Sequence, residues 1–97
     1  MHHESICKLV GRRLRQRRRV LDLTQAQVAA RCGLSFQQIQ KYEAGLVDVS
    51  IVRLVVLATA LRMSLSEVLE GLQECVGAND HDQPGWTANP SAISLSR

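Results

Sequence analysis

The chain has 97 residues, enough for one domain with a modest core, and its 45% apolar content excludes a wholly disordered polypeptide. Net charge is +3 but lopsided: residues 1–45 carry nine basic and three acidic side chains, a surplus of +6, whereas residues 46–97 carry three and six, giving −3. Such a molecule turns a positive side to a polyanion, while its longest apolar run, residues 54–61 between Arg53 and Arg62, is too short to span a membrane, and three widely spaced cysteines with no secretory signal point to a reducing, cytoplasmic setting.

In chain order, Ile6, Leu9, Val10, Leu14 and Leu21 form a stripe at helical spacing that predicts a helix over 5–21. Six arginines fall between Arg12 and Arg19, and guanidinium suits phosphate because it binds in a bidentate fork. Arg18 lies four residues after Leu14 on the apolar face, so its charge needs a partner. Gly11 lowers helix propensity with no compensation visible in the sequence. His2, His3 and Cys7 share this segment, but no fourth donor stands at a usual spacing, and neither a metal nor another cofactor is expected.

Three capping boxes follow: Thr24-x-x-Gln27, Ser35-x-x-Gln38 and Ser64-x-x-Glu67. With Ser50 as a plainer cap, they predict helices over 25–31, 36–43, 51–61 and 65–76. The expectation is an all-α, compact five-helix domain over residues 1–76. From Gly77 the composition shifts to Gly, Asn, Asp, His, Pro and Ser, with a Pro84-Gly85 turn signal and only Trp86 and Ile93 as large apolar residues. Residues 77–97 are therefore expected to form a flexible tail.

Within Gln25 to Leu46 each position has a geometric role. Ala29 falls where two crossed helices approach most closely, and Gly33 falls at the turn between them, where glycine takes a left-handed backbone without penalty. Val28, Cys32, Leu34, Ile39 and Tyr42 fall at inward positions. This constellation, Thr24-Gln25-Ala26-Gln27-Val28-Ala29-Ala30-Arg31-Cys32-Gly33-Leu34-Ser35 followed by Ile39-x-x-Tyr42-Glu43-x-Gly45, resembles the phage-repressor and Cro-type helix-turn-helix regulators. The likeness covers about residues 9–72 and implies a lambda-repressor-like fold and sequence-specific binding of double-stranded DNA, as a repressor of transcription.

The resemblance also implies roles. The second motif helix enters the major groove, with Phe36, Gln37, Gln40 and Lys41 at reading positions. Gln can pair with adenine and Lys can donate to guanine. Phe36 departs from the polar residue common there, and it is read either as a thymine-methyl contact or as a packing residue. Gln25 matches a phosphate-binding glutamine, supported by the helix N-terminus, and Arg12, Arg15 and Arg19 are further phosphate candidates. Gln38 is a cap for Ser35 before it is a reader. Arg18 and Glu43 match a pair that ties the first helix to the recognition helix, and Ala29, Gly33 and Ile39 are structural. Asp48 departs from the basic or polar loop that the family carries between residues 46 and 49.

No Ser-His-Asp or Cys-His grouping, phosphate loop or paired carboxylate site is visible, so no catalysis is expected. A single short recognition helix reads few base pairs, which favours a homodimer on an inverted-repeat operator. The alternative is an antitoxin or other interaction protein on the same fold. Val55 and Val56 sit off the inward face of their helix, and Leu65, Val68, Leu69, Leu72, Cys75 and Val76 form a stripe that would serve a protein partner or a second copy.

Overall fold

The computed structural model describes residues 2–77, without the side chains of His2, Glu4, Val76 and Gly77. The elements are α1 (His2–Val20), α2 (Gln25–Cys32), α3 (Phe36–Ala44), α4 (Ile51–Ala60), α5 (Leu65–Leu69) and α6 (Glu74–Gly77), with no strand among the described residues. Most of the tail expected over 77–97, with Trp86 and Ile93, lies outside them.

Local chemistry starts these helices where the sequence places their caps. The Gln27 N–H donates to Thr24 Oγ1 at 3.0 Å while the Thr24 N–H donates to Gln27 Oε1 at 2.8 Å, so two donors that a helix start leaves open are satisfied reciprocally. Ser35 and Gln38 repeat the arrangement at 3.1 Å in both directions, and Ser64 and Glu67 at 3.1 and 2.7 Å. The backbone hydrogen bond from Ser64 holds the Glu67 carboxyl below its usual range. Ser50 accepts from the Arg53 N–H at 3.0 Å. The motif helices stop on glycines: Gly33 and Gly45 have φ of +68° and +72°, and the next residues, Leu34 and Leu46, donate back to Ala29 and Lys41 carbonyls.

The core draws on every helix from α1 to α5. Val10 and Leu14 meet Val28 and Ala29, Ile39 and Tyr42, then Leu54, Leu57, Ala58 and Leu61, with Val68 and Leu72 closing one end. Cys32 and Leu34 are half-buried against it, and burial raises the Cys32 thiol above its ordinary range. Gly11 is where α1 crosses α3: a Cβ there would lie 2.3 Å from the Tyr42 carbonyl oxygen. The propensity lost in α1 permits that close approach.

One element differs from expectation. The helix read over 65–76 is divided: Glu70 is extended, Gly71 takes φ +75°, and α6 forms after a turn. The apolar stripe that suggested one helix survives the break only in part, because Val68 and Leu72 are buried while Leu65 and Leu69 are exposed.

Candidate nucleic-acid interface

Helix α3 has two unlike faces. Ile39 and Tyr42 point inward, at 2% and 8% exposure, and the Tyr42 hydroxyl accepts from Arg53 at 2.9 Å. Phe36, Gln37, Gln40 and Lys41 are exposed on the other side. Beside them runs an open groove of about 640 Å³, lined by Gln37, Gln40, Lys41, Ala44 and Leu46 from α3 and its following loop, by Gln25 from α2, and by Arg15, Arg18 and Arg19 from α1. The structure thus gathers three sequence-separated groups of predicted site residues on one surface. Arg12 is exposed on α1 but does not line this groove. Phe36, 43% exposed, borders a separate hollow with Asp22, Thr24, Gln25 and Ala26.

Beneath the groove sits an ion pair that sets its geometry. Arg18 Nε donates to Glu43 Oε2 at 2.6 Å and Nη2 donates to Oε1 at 3.0 Å, a bidentate fork whose side chains are 11% and 6% exposed. Nη1 donates to the Leu23 carbonyl at 2.8 Å. The hydrogen bonds to Glu43 raise the Arg18 pKa further above its ordinary value, against the opposing effect of burial. Gln25 Nε2 donates to the same Glu43 Oε1 at 3.0 Å. One carboxylate therefore fastens α1, α2 and α3 together beside the exposed face of α3. The Gln25 bond was not visible in the sequence, and it leaves the amide oxygen and one N–H of Gln25 for other partners.

The arginine run divides by role. Arg13 Nη1 donates to the Val68 carbonyl at 2.8 Å, and Arg17 donates to the Leu61 and Arg62 carbonyls, each at 2.9 Å. Those carbonyls belong to the ends of α4 and α5, so Arg13 and Arg17 satisfy helix C-termini and favour the dipole there. Sequence reasoning missed this use, because the acceptors lie 44 to 55 residues away. Arg12, Arg15 and Arg19 remain exposed.

Comparison with known proteins agrees with this geometry. Residues 14–68, more than half of the chain, match the helix-turn-helix family model. The chain belongs to the helix-turn-helix family. The phage-repressor and Cro-type resemblance read from Thr24 to Gly45 is thereby shown, and with it a DNA-binding regulator. Over 84 residues this helix-turn-helix protein is 43% identical to the Rhodospirillum rubrum protein named uncharacterized transcriptional regulator in ATPase CF(0) region, covering 86% of the chain and 78% of that relative. It is 42% identical over 65 residues to the uncharacterized HTH-type transcriptional regulator y4aM of Sinorhizobium fredii, covering 67% and 46% of the two chains. A Rickettsia conorii HTH-type regulator is 32% identical over 71 residues, 73% and 57% of the two chains. The helix-turn-helix protein thus spans about half the length of the latter two. No helix among its described residues is long and apolar enough to cross a membrane.

Proposed function

We propose that this helix-turn-helix protein represses transcription, without catalysis and in the cytoplasm, by seating α3 in the major groove of an inverted-repeat operator as a homodimer. The carrying observation is the gathering of Gln37, Gln40 and Lys41 on the exposed face of α3, flanked by Arg15, Arg19 and Gln25 in one groove. Gln37 and Lys41 are one helical turn apart and read base edges, with Gln40 beside them and Phe36 against a thymine methyl. Arg12, Arg15, Arg19 and Gln25 hold phosphates, aided by the N-terminus of α2. Half-site centres lie about one helical turn, ~10 bp, apart.

A second reading rests on α4, where Ile51, Val52, Val55 and Val56 are all exposed. This surface serves a second copy in the reading above and a different protein if the chain is an antitoxin-like partner. Selecting duplexes from a random pool and measuring the molar mass of the complex decides between them. A single preferred palindrome bound by two chains supports the regulator, whereas no sequence preference together with a stoichiometric heterologous partner overturns it.

A further inference from the structure

The structure brings together three donors that are scattered in the sequence. His3 and Cys7 are separated by four residues on α1 and therefore share a face one turn apart. Asp48 lies in the loop that leaves the recognition helix. His3 Nε2 stands 2.5 Å and Cys7 Sγ 3.3 Å from Asp48 Oδ1, and all three donor atoms lie within 4.8 Å of one another. The packing of α3 against α1 brings the two segments together apart from these contacts. A Cβ on Gly45 would lie 2.6 Å from the Lys8 Cα, so the end of α3 abuts α1 next to Cys7, and the Gly11 crossing fixes the same two helices one turn further on.

We propose that His3, Cys7 and Asp48 bind one divalent transition-metal ion of zinc-like preference, clamping the start of α1 to the loop after α3. The donor set is one imidazole nitrogen, one thiolate sulfur and one carboxylate oxygen. Imidazole and thiolate select zinc-like ions over magnesium and calcium, which take oxygen ligands. Zinc bonds of about 2.0 to 2.3 Å set the edges of a tetrahedron at roughly 3.3 to 3.6 Å. The sulfur–carboxylate spacing is already near that range, and the His3–Asp48 contact opens by roughly 1 Å to reach it. His3 and Asp48 are 73% and 72% exposed, so these side chains are free to adjust and water completes the fourth position.

Binding balances simply. The ion displaces the Cys7 thiol proton, and any proton held on the coordinating His3 nitrogen, to solvent, while Asp48 binds as carboxylate. Two negative ligands and a doubly charged ion make the occupied site neutral. Occupancy therefore offsets the negative charge that Asp48 places in the loop after α3.

The test is a titration of the reduced, metal-stripped 97-residue protein with cobalt(II), whose thiolate complexes absorb in the near ultraviolet and whose tetrahedral complexes absorb strongly in the visible. The expected result is a thiolate-to-cobalt band that saturates at one ion per chain and is displaced by zinc. It disappears in Cys7→Ser and survives in a Cys32→Ser/Cys75→Ser double variant. Affinity falls by at least about tenfold in His3→Ala and in Asp48→Asn, since loss of a mere outer-shell partner already costs that much. Circular dichroism of each variant confirms that the helices remain. Absence of the band in the parent, its persistence in Cys7→Ser, its loss in the Cys32/Cys75 variant, or unchanged affinity in His3→Ala or Asp48→Asn overturns the proposal. DNA binding does not enter these outcomes, so they stand apart from the regulator reading.

Discussion

Gly11 shows how a single residue can be costly locally and favourable for the fold. Replacing it with alanine gains up to ~1 kcal/mol of helix propensity. The new Cβ, however, would meet the Tyr42 and Glu43 carbonyls at 2.3 and 2.7 Å, both backbone atoms of a packed helix. Forcing such contacts apart typically costs about 1–3 kcal/mol, so the packing term wins and Gly11→Ala lowers stability. A denaturation midpoint at or above that of the parent would show that α1 and α3 do not cross at Gly11. Arg18 and Glu43 present the opposite case, of a charge that is tolerable only because it is paired. Removal of either leaves the other stranded at 11% or 6% exposure, and Arg18→Ala or Glu43→Ala is expected to cost on the order of 3–5 kcal/mol. Urea unfolding measures it, and a loss below ~1 kcal/mol, the range of exposed pairs, would mean that the pair is solvated in solution.

At the scale of elements, the proposed role of α3 makes a distinction between reading and holding that can be measured. Gln37 and Lys41 project from its exposed face into the groove, so replacing either with alanine is expected to weaken the preferred duplex by roughly 1–3 kcal/mol and to relax base choice at one position per half-site. Gln25→Ala is expected to weaken all duplexes alike, because a phosphate carries no direct sequence information. It also removes a hydrogen bond to Glu43, so a modest fall in stability accompanies it. Titrations against single-base variants of the selected site distinguish the two classes, and an even loss across the panel for both Gln37→Ala and Lys41→Ala would place the reading face elsewhere. The motif was legible in the sequence because its signals are local: each capping box spans four residues, and Gly33 marks the left-handed turn between α2 and α3. The Arg18–Glu43 pair was legible only through the family pattern and the need of a charge for a partner. What escaped was tertiary. The carbonyls held by Arg13 and Arg17, the crossing at Gly11 and the meeting of Asp48 with α1 all depend on how distant segments pack, and no spacing within one segment encodes them. The break at Gly71 was masked by an apolar stripe that continues across it in sequence while its residues divide between core and surface.

For the whole molecule, the surplus of positive charge in residues 1–45 acts through those cations that the fold leaves exposed. Arg13, Arg17 and Arg18 are engaged within the protein, so the counterion-linked part of the proposed DNA binding is expected from exposed side chains such as Arg12, Arg15 and Arg19. This division offers a way to count protomers on the operator. Each neutralised phosphate contributes about 0.9 to the slope of log affinity against log salt. If a homodimer binds, one substitution removes two contacts, and Arg19→Gln is expected to lower the slope by about 1.8, against ~0.9 for a lone protomer. Gln25→Ala removes no charge and is expected to leave the slope unchanged. The measurement is the affinity of parent and variants for the selected palindrome at four or so salt concentrations, with the protein dilute enough to follow dimerisation separately. A drop near 0.9 for both Arg15→Gln and Arg19→Gln would argue for one chain per site, and no drop for either would remove α1 from the DNA backbone altogether.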